Sequence, residues 1–132
     1  MNFLFLEFFF NVIGQDDNGF LFLSQEVEEG NIEYKRQLVS PTSERLEKLT
    51  SQLKWRLFEG DGEAFYQLGV DDDGSPYGLS ELGLDKSLMN LKKMADSLNC
   101  TMIVVCKRPG TNGYIAEVLI REIKDEVCSE LR

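Results

Sequence analysis

Few residues in this sequence have the types and spacing of reaction chemistry, and most of those are acids. Glu28 lies five residues before Glu33, Lys35 lies two after it, and Asp71 closes a separate apolar run. If the two runs are neighbouring strands, Glu28, Glu33 and Asp71 converge. Three carboxylates make an adequate Mg2+ or Mn2+ site for phosphodiester hydrolysis, and Lys35 would offset phosphate charge there. The competing expectation is that acids at strand ends and turns are simply solvated. Spacing alone leaves both open.

Other chemistries are narrowed by composition. The 132 residues include no histidine. That excludes Ser-His-Asp and Cys-His catalysis, histidine metal ligation and a histidine pH switch. Cys100, Cys106 and Cys128 are odd in number and form no CxxC, so reduced thiols are expected. The net charge of −9 runs against a protein that grips a nucleic-acid backbone with its whole surface. The stretch "RLFEGDGEAFYQLGVDDDG", residues 56–74, is the one place that hints at a phosphate cradle. It holds no GxxxxGK[ST]. Gly60 and Gly62 close a helical pattern instead of opening one, and Phe65 stands where a dinucleotide fingerprint needs its third glycine. "DDDG" fails as a calcium loop because Pro76 takes the position of the sharp-turn glycine. The glycines therefore read as structural.

The surrounding elements must position the acids. "NIEYKRQLV" alternates like a strand. "SPTSERLEKLTSQLKWRLFEGDG" reads as a helix. Ser40-Pro41 or Thr42 opens it with Pro in the first turn, Leu46, Leu49, Leu53 and Leu57 share one face, and Gly60 or Gly62 ends it. "EAFYQLGV" is an aromatic-rich strand, "DDDGSPYGL" a turn, and Tyr77 to Leu79 a short strand that pairs back. A second helix follows, "SELGLDKSLMNLKKMADSLN", with a stripe of Leu84, Leu88, Leu91, Ala95 and Leu98. "TMIVVCK" reads as a buried strand, "RPGTNG" as a hairpin loop and "YIAEVLIREI" as the return strand. The order is β-α-β-(β)-α-β-β, an α/β fold with one mixed sheet and two helices packed mainly on one face. The start, "MNFLFLEFFFNVIG", is too short to span a bilayer, lacks a basic n-region and is interrupted by Glu7. Residues 1–24 are thus expected to form an apolar and acidic extension, residues 25–126 the α/β domain, and the chain to be cytoplasmic with no membrane partner.

Two resemblances sharpen this reading. "EEGNIEYK", "QLKWRLFEGDGEAFYQLGV" and "YGLSE", continued by "SLMNLKKMADSLNC" and "YIAEVLIRE", resemble the N-terminal region of the GTP-binding protein 1/2 family of translational GTPases. The resemblance covers residues 25–132. It implies a non-catalytic accessory domain, with residues 127–132 leading towards a GTPase domain that this chain does not contain. GTP and Mg2+ would belong to that domain, and no GTP-contacting residue carries over to this chain. The implied partners are the GTPase domain of the parent protein and the ribosome, tRNA or the mRNA-decay machinery. Lys54, Arg56, Lys92, Lys93, Lys107 and Arg108 are the candidate phosphate contacts; Trp55 is expected in a core or interface. The second resemblance spans residues 28–79 and is to the Schlafen core, the AlbA_2-type domain. It matches Glu28, Glu33, Lys35 and Asp71 to an acidic site that cuts RNA in some members. It implies the alternative function of a metal-dependent ribonuclease.

Overall fold

A computed structural model describes residues 12–15, 21–23, 26–27, 29–39 and 41–124. The chain follows the expected α/β order. A two-stranded antiparallel ribbon, β1 (Val12–Gln15) and β2 (Leu21–Leu23), comes first. Then come β3 (Ile32–Lys35), α1 (Ser43–Glu59), β4 (Glu63–Leu68), α2 (Glu81–Ser97), β5 (Cys100–Gly110) and β6 (Gly113–Glu122). The four later strands form one mixed sheet in the order β3-β4-β6-β5. β3 and β4 are parallel, so the chain must cross over between them, and α1 is that crossover. The remaining pairings are antiparallel.

Both helices cover the same face. Leu49, Leu53 and Leu57 of α1 and Leu84, Leu91, Met94 and Ala95 of α2 share one core with Ala64, Tyr66, Leu68, Ala116, Val118 and Ile120 of the sheet. This is the two-layer solution for an amphipathic helix pair and a sheet with one apolar side. Thr42 caps α1, its hydroxyl accepting from the Arg45 N–H at 3.1 Å. Pro41 therefore precedes the cap and is not in the first turn. Ser80 caps α2 in the same way through Gly83. Gly60 ends α1, donating to the Arg56 carbonyl. No described helix is long and apolar enough to cross a membrane.

Three expectations are corrected. "TMIVVCK" is an edge strand: Ile103, Val104 and Val105 of β5 are about half exposed, and the register shifts between Val104 and Cys106. The hairpin loop shrinks to Thr111 and Asn112, because pairing continues from Pro109 and Gly110 to Tyr114 and Gly113. Tyr77 to Leu79 forms no strand back onto β4. Leu79 makes a single antiparallel bridge to Tyr114 at the hairpin tip.

Candidate functional site

The site begins at the edge strand β3. Its Glu33 and Lys35 point to the face that the helices cover, while Ile32 and Tyr34 pack on the other side against Leu23, Val70 and Ile115. Across from Glu33, α1 presents Gln52, Trp55 and Arg56. The "DDDG" loop closes the third side. Asp73 Oδ1 accepts from Ser75 N at 2.9 Å, and Gly74 N reaches the Asp71 carbonyl at 2.8 Å. That loop then holds the incoming chain: Leu23 N donates to Gly74 O at 3.2 Å and Glu26 N to Asp72 O at 2.8 Å. Glu26 is thereby fixed beside Glu33. Together these side chains and Asp72 line an open cleft of about 510 Å3.

Arg56 organises it. Its guanidinium is almost fully buried, with Nε 3.2 Å from Glu33 Oε1. Nη1 donates to the carbonyls of Glu29 (3.2 Å) and Gly30 (3.0 Å), and Nη2 to that of Val27 (2.9 Å). Nη2 also lies 3.8 Å from Glu26 Oε2. Lys35 Nζ is 3.8 Å from the other Glu33 oxygen. The Glu26 carboxylate accepts from the Tyr34 N–H. Burial, with the adjoining Glu33 as hydrogen-bond partner, pushes the Glu26 carboxyl up to about 7; the Tyr34 N–H and Arg56 oppose this. Tyr66 OH, fully buried, has no hydrogen-bond partner among the described residues, and burial and the Glu33 charge suppress its ionisation. Chemically the cleft offers two carboxyls in contact, one titrating near neutrality, beside a lysine and an aromatic wall.

The predicted acids part company here. Glu33 sits in the cleft, but the Asp71 carboxylate lies 3.7 Å from Arg36 Nε, and Glu28 is outside the described residues. Among the described residues no three Asp, Glu or Cys side chains stand where they could hold a metal ion together. Glu26 and Asp72 are the acids that sequence reading missed. The signal for Glu26 was its place in the same "EVEEG" run, and for Asp72 its place beside Asp71.

The six candidate phosphate contacts do not form one surface. Arg56 is buried, with its guanidinium on Glu33. Arg108 lies on the sheet face away from the helices, with Nη1 3.5 Å from Cys106 Sγ. Lys54 is exposed on α1. Lys92 pairs with Asp96 at 2.5 Å, and Lys93 is exposed beside it. Lys107 lies 3.9 Å from Glu81 and 4.6 Å from the centre of the Tyr114 ring. Trp55 is 49% exposed and stacks on Phe58, itself 75% exposed, with ring centres 6.0 Å apart. It belongs to a surface and not to the core.

A second polar cluster occupies the opposite face of the sheet. Glu117 is buried, accepts from Gln67 Nε2 at 3.2 Å and lies 3.9 Å from Cys106 Sγ. Burial pushes its carboxyl up to about 7, against the lowering effect of Arg108, Gln67 and Cys106. An unfolded glutamate titrates near ~4.3. Between these values the native state binds the extra proton, so stability falls as pH rises and the contribution is lost above 7. Glu26 adds a slope of the same sign. Glu117→Gln is expected to leave stability near pH 4 unchanged and to raise it by on the order of 2 kcal/mol at pH 8. Urea denaturation at pH 4, 6 and 8 measures this; a variant with the parent's full pH slope would refute it.

Comparison with known proteins adds the following. Over 109 residues, 79% of the chain, it is 43% identical to GTP-binding protein 2 of Mus musculus and of Homo sapiens, covering 18% of each. Over 85 residues, 64% of the chain, it is 34% identical to GTP-binding protein 1 of Xenopus laevis, covering 13% of that protein. It is also 30% identical over 101 residues to an uncharacterized protein of Acanthamoeba polyphaga mimivirus, covering 54% of it. No protein-family model matches the chain, and no solved structure matches it. The chain is thus homologous to one segment of GTP-binding proteins 1 and 2, and it spans less than a fifth of their length.

Proposed function

We propose that this chain is the accessory α/β segment of a GTP-binding protein 1/2-like translational GTPase, a docking module that does not itself contact GTP. The observation that carries this is the 43% identity to GTP-binding protein 2 over 79% of the chain, in a sequence with no phosphate-cradling motif. On this reading GTP and Mg2+ are handled by a GTPase domain elsewhere in the parent protein. The segment contacts that domain and, in the cytoplasm, the ribosome, tRNA or the mRNA-decay machinery. The test has two arms. The purified chain is titrated with a fluorescent GTP analogue, and it is added in trans to GTP-binding protein 2 lacking the homologous segment. No nucleotide uptake, together with saturable association in trans, is the expected pair of results. Saturable GTP uptake by the chain alone, or no association in trans, would overturn the reading.

One observation favours the ribonuclease alternative. Glu33 and Lys35 do line a single cleft, and Glu26 supplies a carboxyl that titrates near neutrality beside them, which suits general acid–base work on a phosphodiester. Against it, both Glu33 oxygens face cations of the protein itself. Mn2+-dependent cleavage of tRNA that disappears in Glu33→Gln would establish this alternative; no cleavage with or without Mn2+ would remove it.

A further inference from the structure

We infer that β5 is a dimerisation edge: two copies of the chain pair their β5 strands antiparallel across a two-fold axis perpendicular to the sheet, and their α2 helices pack side by side above the joint. The two edges of the sheet differ. β3 is short, and none of its residues is exposed. β5 is long, pairs only with β6 among the described residues, and exposes Ile103, Val104 and Val105. Edge strands are ordinarily guarded by charge, proline or a bulge. In β5 the register shift lies between Val104 and Cys106, and Lys107, Arg108 and Pro109 all follow it. Residues 101–104 are left unguarded. Their backbone groups alternate. Ile123 N donates to Asn99 O at 3.2 Å. With the register, this turns Thr101 and Ile103 towards β6 and the N–H and C=O of Met102 and Val104 outward. An antiparallel pair centred on Ile103 satisfies these outward groups, because Met102 of each copy exchanges both backbone bonds with Val104 of the other.

The helix layer shows why the occupant is a second copy and not some other strand. α2 lies over β5 and β6, set back from the edge by about half of the ~4.8 Å strand spacing. Two copies joined at β5 therefore hold their α2 axes about 10 Å apart, a distance at which helices pack. The flank that α2 turns to this seam is apolar at its middle. Leu88 and Met89, with Met102 below them, line an open groove of about 580 Å3, and Met89 is 62% exposed. From the turn at Leu98 and Asn99, Met89 is ~12 Å up the helix and Ile103 ~10 Å along the strand, so one axis passes both. Charge at the rim of the groove is self-complementary. Asp85 precedes Met89 by four residues, and Lys92 and Lys93 follow it by three and four. Antiparallel helices crossing there set each Asp85 against Lys92 and Lys93 of the other copy. Neither Asp85 nor Lys93 has an ion-pair partner among the described residues of its own chain.

Sedimentation equilibrium of the full chain between about 5 and about 500 µM covers the affinity of an interface this small. Monomer at the low end and dimer at the high end is the expected result. Amide exchange at Met102 and Val104 should slow over the same range, while that at Thr101 and Ile103, already bonded to β6, stays unchanged. Ile103 is half exposed, so Ile103→Lys leaves the fold intact. It should weaken dimerisation at least tenfold by setting two lysines on the axis. Asp85→Lys in one preparation, and Lys92→Glu with Lys93→Glu in another, should each weaken self-association at least fivefold. An equal mixture of the two should recover the parent's affinity, because opposite charges then meet at both ends of the helix seam. A chain that stays monomeric throughout would overturn the proposal. So would an Ile103→Lys variant that associates like the parent, or charge variants that associate no better mixed than alone. None of these results bears on GTP uptake or on association in trans, so this inference and the docking reading fail separately.

Discussion

Arg56→Met is expected to destabilise the chain by about 4 kcal/mol, the cost of breaking a buried ion pair from one side. Glu33 would keep its buried charge while losing the guanidinium 3.2 Å away. The carbonyls of Val27, Glu29 and Gly30 would lose their donors at the same time. Methionine fills much of the volume, so the loss is electrostatic and not a cavity effect. The double variant Arg56→Met with Glu33→Leu separates the two parts. It removes the stranded charge, and a buried pair replaced by apolar side chains of similar size is often close to neutral. We expect it to recover at least half of the loss, the remainder being the three carbonyls. Urea denaturation of the four members of the cycle measures the coupling. A single variant within about 1 kcal/mol of the parent would mean that Arg56 is not the clamp described here.

Such a clamp explains why parts of the site were hidden in the sequence. The helices were legible because their leucines recur every three or four residues and because Thr42 and Ser80 are good caps. The same periodicity showed Arg56 only as a basic residue on a basic helix. Its burial depends on Glu33, 23 residues away, and on carbonyls of a segment with no pattern of its own. The surroundings of Arg108 were hidden for the same reason: Cys106 and Glu117 oppose it only once β5 and β6 pair. "TMIVVCK" misled in the opposite direction. An apolar run of that length has no internal mark that separates a central strand from an edge, and it is the order β3-β4-β6-β5 that leaves Ile103, Val104 and Val105 exposed. Glu26 joins Glu33 through a backbone bond to Asp72, a contact between two loops that spacing cannot display. What the sequence did carry was the neighbourhood, since β3 and the "DDDG" turn do flank one cleft.

That neighbourhood has a second mechanical support, at the far end of the same loop, and Gly113→Ala tests it. The chain from Pro76 to Leu79 lies across the tip of the β5–β6 hairpin. Thr111 N donates to Pro76 O, Asn112 N to Tyr77 O, and Leu79 and Tyr114 exchange both backbone bonds, all at 2.7 to 2.8 Å. Gly113 sits at the crossing with φ +143°. A Cβ there would stand 2.4 Å from the Leu79 carbonyl oxygen and 2.7 Å from its carbon. Both are backbone atoms, so no side chain can swing aside. Relief requires the crossing segment to lift from the hairpin and give up the bonds between Leu79 and Tyr114. The expected loss is about 3 kcal/mol, the sum of a strained φ and the broken contacts. Gly30→Ala is the control for strain alone. Its φ is +91°, but a Cβ would meet nothing within 4 Å, so about 1 to 2 kcal/mol is expected. Hydrogen exchange at the Leu79 and Tyr114 amides locates the effect. Faster exchange there in Gly113→Ala but not in Gly30→Ala would show that the crossing has opened. Equal stabilities for the two variants would show that the close approach at Gly113 carries no weight, and that the loop bearing Asp72 is held by its own turn alone.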